Sequence, residues 1–190
     1  LLLTAASHAA LQAPSSWIVR WSHLVPPAGT VLDVACGTGR HMHWFADRGH
    51  RATGVDRSEE AVLAASHHGR VLQADIEAGP WPFDGQQFAA VVVTNYLWRP
   101  RLPDIVAAVA PGGVLLYETF AAGNETIGRP SRPDFLLQPG ELLDACAGLH
   151  VVAYEDGYLE TPPRFVQRIA AIRRAASPVR ALLGGATASR

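Results

Sequence analysis

Three carboxylates and a pair of glycines stand at spacings that suit a ribose-bearing ligand. The run Asp33-Val34-Ala35-Cys36-Gly37-Thr38-Gly39 closes a short apolar stretch. Glycines in such a run permit a tight turn and let a ligand approach the backbone without meeting a Cβ. The free amides of a helix that follows favour a carboxylate or phosphate. Asp56 comes 19 residues after Gly37, where a carboxylate can accept both hydroxyls of a ribose. Asp75 is a third acid of the same kind. A dinucleotide fingerprint would need a glycine at position 42 for close helix–strand packing. Met42 stands there instead, which weakens a nicotinamide reading.

These residues converge only if each ends a strand of one sheet. The pattern supplies the strands. TVLDVA at 30–35 is followed by a helix over 40–48, with Gly49 as its C-terminal cap. A strand over 51–56 leads to a helix capped by Ser58 and running through Glu59, Glu60, Val62 and Leu63. A third strand covers 71–75. FAAVVVT at 88–94 is continuously apolar, as expected for a strand covered on both faces. A helix over 102–109 and the turn Pro111-Gly112-Gly113 precede a fifth strand at 114–120. Strands separated by helices imply right-handed crossovers and a parallel sheet. The rhythm then changes to a polar loop at 121–138 and a helix at 139–147. Two further strands at 151–154 and 165–172 read as an antiparallel pair on the sheet edge. The expected fold is α/β: a doubly wound, Rossmann-like, seven-stranded and mostly parallel sheet. In such sheets ligands bind beyond the carboxyl ends of the strands, at the switch point.

The chain of 190 residues suits a single domain over 1–190. An apolar fraction of 48% and a charged fraction of 17% exclude a disordered chain. With two cysteines, Cys36 and Cys146, a disulfide scaffold is excluded and a reducing, cytoplasmic setting is expected. The net charge of -1 gives no field for nucleic acid, which is not the expected partner. All 16 basic residues are arginine, so Schiff-base and P-loop lysine chemistry are absent. No apolar run is long enough to span a membrane. Leu1–Ala10 is apolar and admits a signal-peptide remnant, though without a basic flank. The helix over 15–25, capped by Ser15 or Ser16, carries Trp17, Trp21 and Leu24 on one face. The segment 1–27 is expected as a helical lid, and 175–190 as a frayed tail.

The run LDVACGTGR, with VDRS and QADIE after it, resembles the class I S-adenosylmethionine (SAM)-dependent methyltransferases over residues 28–172. PGGVLLYETF, FLLQPGELL and VVAYEDG are similar to the bacterial tellurite-resistance methyltransferase family, whose acceptor is a small soft anion or thiol-like compound. The resemblance implies SAM as cofactor, with S-adenosylhomocysteine as product. It implies that Gly37 and Gly39 pass beneath the methionine part and that Asp33 lies near its ammonium. Asp56 would take the ribose hydroxyls, Arg57 would lie along the adenine, and Asp75 would accept from the adenine amino group beside Ile76. Cys36, within the loop, is counted with these residues. Its thiol reads as a packed group, because no cation or base adjoins it in the sequence.

The acceptor side is less defined. Asn95 and Tyr96 follow the fourth strand, without the prolines of the amino-nitrogen methyltransferases. Asn95 suits the cofactor's amino group or an acceptor, and equally suits a helix cap. Asn95, Tyr96 and His41 are the catalytic candidates. Arg99, Arg129 and Arg132 are the candidates for an anionic acceptor. No metal site is expected. A monomer or homodimer acting on a small molecule is the leading reading. An NAD(P)-dependent oxidoreductase and a SAM-binding protein without catalytic activity are the alternatives.

Overall fold

The computed structural model describes residues 12–183. The apolar stretch at 1–10 and the last part of the expected tail lie outside them. Seven strands form one sheet: β1 (Thr30–Val34), β2 (Arg51–Asp56), β3 (Arg70–Gln73), β4 (Phe88–Thr94), β5 (Val109–Phe120), β6 (His150–Glu160) and β7 (Pro163–Ile172). Their order is β3-β2-β1-β4-β5-β7-β6. Strands β1 to β5 are parallel, and β7 runs antiparallel to both β5 and β6. The order reverses between β1 and β4, so the switch point lies where the first glycine loop leaves β1.

Five short helices flank the sheet: α1 (Ser16–Trp21), α2 (Arg40–Ala46), α3 (Glu59–Ala65), α4 (Leu102–Ala107) and α5 (Glu141–Ala145). Side chains alternate across each strand, and the two sheet faces bury different sets. Val31, Val92, Val114 and Leu116 pack with Trp17, Ile18 and Trp21 of α1 and Phe45 of α2. Leu32, Val91, Leu115 and Tyr117 pack with Ile105 of α4 and Leu142 of α5. Each fully buried side chain of this size contributes about 1.5–3 kcal/mol, so α1 is part of the core. It forms a fixed wall, and only the chain entering it faces the site.

Several elements differ in extent from the sequence expectation. β5 begins five residues earlier than expected, at Val109, because it resumes pairing with β4 after an irregularity between Phe88 and Ala90. β6 and β7 extend into one long hairpin. The loop at 121–138 is fastened at both ends. Ala122 donates to the Leu137 carbonyl, and Leu137 donates to the Phe120 carbonyl. Asn124 is buried inside it and joins Pro130 to Phe165. The described part of the tail packs back on the α1 face through Val179 and Ala181. Among the described residues no helix is long and apolar enough to cross a membrane.

Candidate cofactor and active site

The alternation that builds the α1 face also builds the site. Asp33, Thr94 and Glu118 each stand two residues beyond an apolar member of that face, Val31, Val92 and Leu116. They carry the same face past the apolar layer to the carboxyl ends of β1, β4 and β5. Thr94 pairs with Glu118, and Glu118 with Arg168 of β7. The result is a polar row across the switch point.

Asp33 is 1% exposed, and its Oδ2 has no hydrogen-bond partner among the described residues. Burial pushes its carboxyl up to about 7; Arg40 opposes this and Asp56 adds to it. His41, equally buried, faces that oxygen with Nδ1 at 3.9 Å, beyond hydrogen-bond length. Its Nε2 accepts from the Ser15 amide at 3.1 Å. Burial, aided by Arg40, lowers the imidazole to about 3. Ser15 caps α1 by accepting from the Trp17 amide, and its Oγ donates to Glu118 Oε1 at 2.9 Å. Glu118 also takes Arg164 and Arg168, both at 3.2 Å. Arg40 reaches the Ala13 carbonyl (3.3 Å) and Thr94 Oγ1 (3.5 Å).

The glycine loop turns as its sequence requires. Gly37 (φ +54°) has open space where a Cβ would stand, whereas a Cβ on Gly39 (φ +85°) would meet Ala65 at 2.9 Å. The first keeps room beside the cleft; the second lets α2 pack on α3. Ala35 sits at φ +52°, a left-handed conformation that a side chain disfavours. Asp56 holds the loop: its Oδ2 accepts from the Gly37 amide (2.8 Å) and its Oδ1 from Ser58 (2.9 Å). Asp75 Oδ1 accepts from the Glu77 and Ala78 amides, and these bonds lower its carboxyl below the usual range.

Ala35, Asp56, Arg57, Asp75, Ile76 and Tyr96 line one cleft of about 130 Å³. Whole drug-sized ligands occupy roughly 300–1,000 Å³, so this cleft takes one end of a nucleoside. The Tyr96 hydroxyl is buried there without a partner. A wider cleft of about 330 Å³ lies at the opposite, amino ends of the strands, between His23, Arg173 and the tail, and carries none of the row's chemistry.

A family model described as a methyltransferase domain matches residues 31–113, from β1 into β5. The curated relatives include a malonyl-[acyl-carrier protein] O-methyltransferase of Serratia marcescens. It is 34% identical over 109 residues, which are 52% of this chain and 41% of that protein. The putative methyltransferase YqeM of Bacillus subtilis is 31% identical over 61% of this chain and 51% of its own length. The matched region carries a methyltransferase domain, and the relatives it resembles are methyltransferases. This chain spans about half the length of the curated relatives it matches. Among solved structures, TehB from Haemophilus influenzae superposes with a TM-score of 0.69 at 19% identity, over 85% of this chain and 63% of that one. A TehB-like methyltransferase from Corynebacterium glutamicum gives 0.62 at 17% identity, over 83% and 88%. These two likenesses show the fold.

The methyltransferase fold gathers Asp33, Gly37, Gly39, Asp56, Arg57, Asp75, Ile76, Asn95 and Tyr96 around the strand ends. Asn95 adopts φ +54°, is exposed, and gives its amide to the Glu118 carbonyl. It caps no helix. Tyr96 lines the cleft of Asp56 and Asp75. Cys36 packs its thiol in a cluster with Met42, Ala52 and Ala65, as its sequence setting implied, and its amide is spent on the Val55 carbonyl. Three sequence expectations are corrected. His41 is buried and engaged at Nε2, so it is no general base facing an acceptor. Arg99 is consumed by a bidentate pair with Glu141 (2.6 and 2.9 Å) and by the carbonyls of Asp134 and Leu136. Arg132 pairs with Asp134 at the surface. Arg129 is exposed, in the fastened loop, with no side-chain partner among the described residues. Ser15, Arg40, Glu118, Arg164 and Arg168 had no site role in the sequence reading. Their signal was parity: a glutamate on the α1 side of an otherwise apolar β5 requires a buried cation. No group of three or more metal-ligating side chains occurs among the described residues.

Proposed function

We propose that this methyltransferase moves the methyl group of SAM to a small acceptor that reacts as a soft anion or thiolate. One observation carries the reading. Asp33 Oδ2 is buried beside the glycine loop without a partner, and of the catalytic candidates His41 is engaged at Nε2 while the Tyr96 hydroxyl is buried. The orphaned Asp33 Oδ2 suits an ammonium, directly or through water. Asp56 spends one acceptor site of each oxygen on a backbone amide; a carboxylate has about four, so both oxygens remain able to take ribose hydroxyls. Asp75 Oδ2 and the backbone of Ile76 suit the adenine edge, with Arg57 along its face. The open side of Gly37 and the turn at Gly39 leave room for the methionine part, and Cys36 serves by its backbone turn alone. When bound, SAM supplies a methyl group activated by its sulfonium for in-line displacement.

The chain's own task is then alignment and exclusion of water. A hydroxyl or ammonium acceptor would need deprotonation. His41 is held neutral and inward. Burial pushes the Tyr96 hydroxyl well above its ordinary value, so no phenolate forms there. Burial does the same to the Cys36 thiol. An acceptor that arrives already nucleophilic avoids the requirement. The relatives' names span oxygen, sulfur and nitrogen acceptors, including a thiopurine S-methyltransferase of Pseudomonas fluorescens at 29% identity, so the choice rests on the site. The test is S-adenosylhomocysteine formation with sulfide, small thiols, alcohols and amines. Turnover should follow the ionised fraction of sulfur acceptors, and equal turnover with alcohols overturns the acceptor reading. In a thermal-shift comparison, S-adenosylhomocysteine at a hundred times its Kd should add about 2.7 kcal/mol. A shift with NAD alone overturns the cofactor assignment.

A further inference from the structure

The buried pair beside the glycine loop, Asp33 of β1 and His41 of α2, has a defined direction. His41 Nε2 accepts from the Ser15 amide. A neutral imidazole has one donor and one acceptor, so its proton is on Nδ1. Nδ1 faces Asp33 Oδ2 at 3.9 Å, with both side chains 2% exposed. Ser15 cannot turn away freely, because its Oγ bridges Trp17 and Glu118. The imidazole is thus braced from behind, with its N–H aimed at the one Asp33 oxygen that lacks a partner. The other charges facing the pair are Arg40 on α2 and Asp56 on β2; Glu118 on β5 and Arg164 on β7 act on Arg40 in turn.

We propose that His41 is a positioning residue for the cofactor's ammonium: its Nδ1–H stabilises Asp33 as a carboxylate once a cation binds, and it acts only through Asp33. The inference rests on the assignment of the cleft to SAM. With a bond only from the Met42 backbone and no partner at Oδ2, the buried Asp33 carboxyl retains its proton. When the ammonium arrives, the Asp33 O–H bond breaks, its proton goes to solvent, and the carboxylate pairs with the ammonium. The His41 N–H closes by about 1 Å to reach hydrogen-bond length and shares the new charge. The imidazole neither gains nor loses a proton.

S-adenosylhomocysteine carries the same ammonium and is the probe. Calorimetric titration from about pH 5.5 to about pH 8.5, in buffers of different ionisation heat, reads affinity and proton release together. Wild-type protein should release up to one proton and gain about tenfold in affinity per pH unit below the midpoint. His41→Gln can still accept from Ser15 through Oε1 but places no donor at the former Nδ1. Its midpoint should move up, with about tenfold weaker binding at neutral pH. His41→Asn places an amide N–H near the former Nδ1 and loses the Ser15 bond; it should restore the midpoint. A purely structural His41 predicts that both variants weaken binding alike at every pH, and that result overturns the inference. Wild-type affinity that is independent of pH overturns it too while leaving the cofactor assignment intact. Absence of S-adenosylhomocysteine binding to wild-type protein overturns both.

Discussion

Folding moves one proton from His41 to Asp33, and separating the two residues should expose opposite pH dependences of stability. Between about pH 4 and 6.5 the unfolded chain holds the pair as carboxylate and imidazolium. The folded chain holds it as carboxylic acid and neutral imidazole, with Asp33 at about 7 and His41 at about 3. Each state carries one proton, so the two contributions cancel in the wild type. Asp33 has a raised folded value. Its contribution is present at low pH and lost as pH rises from about 4 to about 7, at about 1.4 kcal/mol per unit, or about 4 kcal/mol in all. His41 has a lowered value. Its contribution is present above its ordinary 6.5 and lost on acidification, with the same slope. His41→Gln should therefore lose stability, relative to wild type, as pH rises from about 4 to about 7. Asp33→Asn should lose it as pH falls below 6.5. Above about pH 7 the Asp33→Asn protein should exceed the wild type, because it buries no bare charge. Urea unfolding without cofactor, across this range, reads the differences directly. Parallel pH profiles for the three proteins would refute the assignment of opposite shifts.

Five further outcomes follow from the same geometry. Gly37→Ala should cost about 1 kcal/mol of stability from its positive φ yet abolish most S-adenosylhomocysteine binding. Gly39→Ala should cost more stability, because its Cβ meets Ala65 at 2.9 Å; thermal unfolding with calorimetry separates the two. Ala35→Gly should raise Tm by a few degrees, as relief of left-handed strain contributes about 1 kcal/mol. Arg99→Ala should destabilise by about 1–3 kcal/mol through loss of its grip on Glu141 and the 134–136 carbonyls, with cofactor affinity unchanged in calorimetry. Asp56→Asn should weaken S-adenosylhomocysteine binding at least about tenfold in a protein that remains folded by circular dichroism.

The placement of Asp33, Asp56 and Asp75 at neighbouring strand ends was legible because strand ends are what periodicity marks. Asp33, Asp56 and Asp75 each follow an apolar run, so the parallel sheet alone brings them together. The acceptor half was not, for a physical reason. An arginine in a polar loop looks the same in sequence whether its fork is free or spent. Arg99 is spent on Glu141, 42 positions away, and no local pattern signals that pairing. The helix bounds erred at their ends: Asp47, not Gly49, closes α2, and β5 runs through the Pro111-Gly112-Gly113 turn. A strand can carry such a turn where Arg173 and Gly113 remake the pairing with β7.

The lid expectation shows how packing decides between two uses of one segment. Trp17, Ile18 and Trp21 would have to leave the core for α1 to swing, at several kcal/mol each. α1 therefore stays on the sheet, and its N-cap is Ser15. That residue is held by three separate bonds, to His41, Trp17 and Glu118, and Glu118 is in turn held by Arg164 and Arg168. Any perturbation of Glu118 thus reaches the cofactor side by way of Ser15 and His41. Glu118→Gln should loosen Ser15 and leave Arg164 with a neutral partner in a buried setting, at about 3–5 kcal/mol. Its effect on S-adenosylhomocysteine affinity should appear as a pH-midpoint shift in the same direction as that of His41→Gln. A stability loss with an unmoved midpoint would show that the polar row supports the fold without coupling to Asp33.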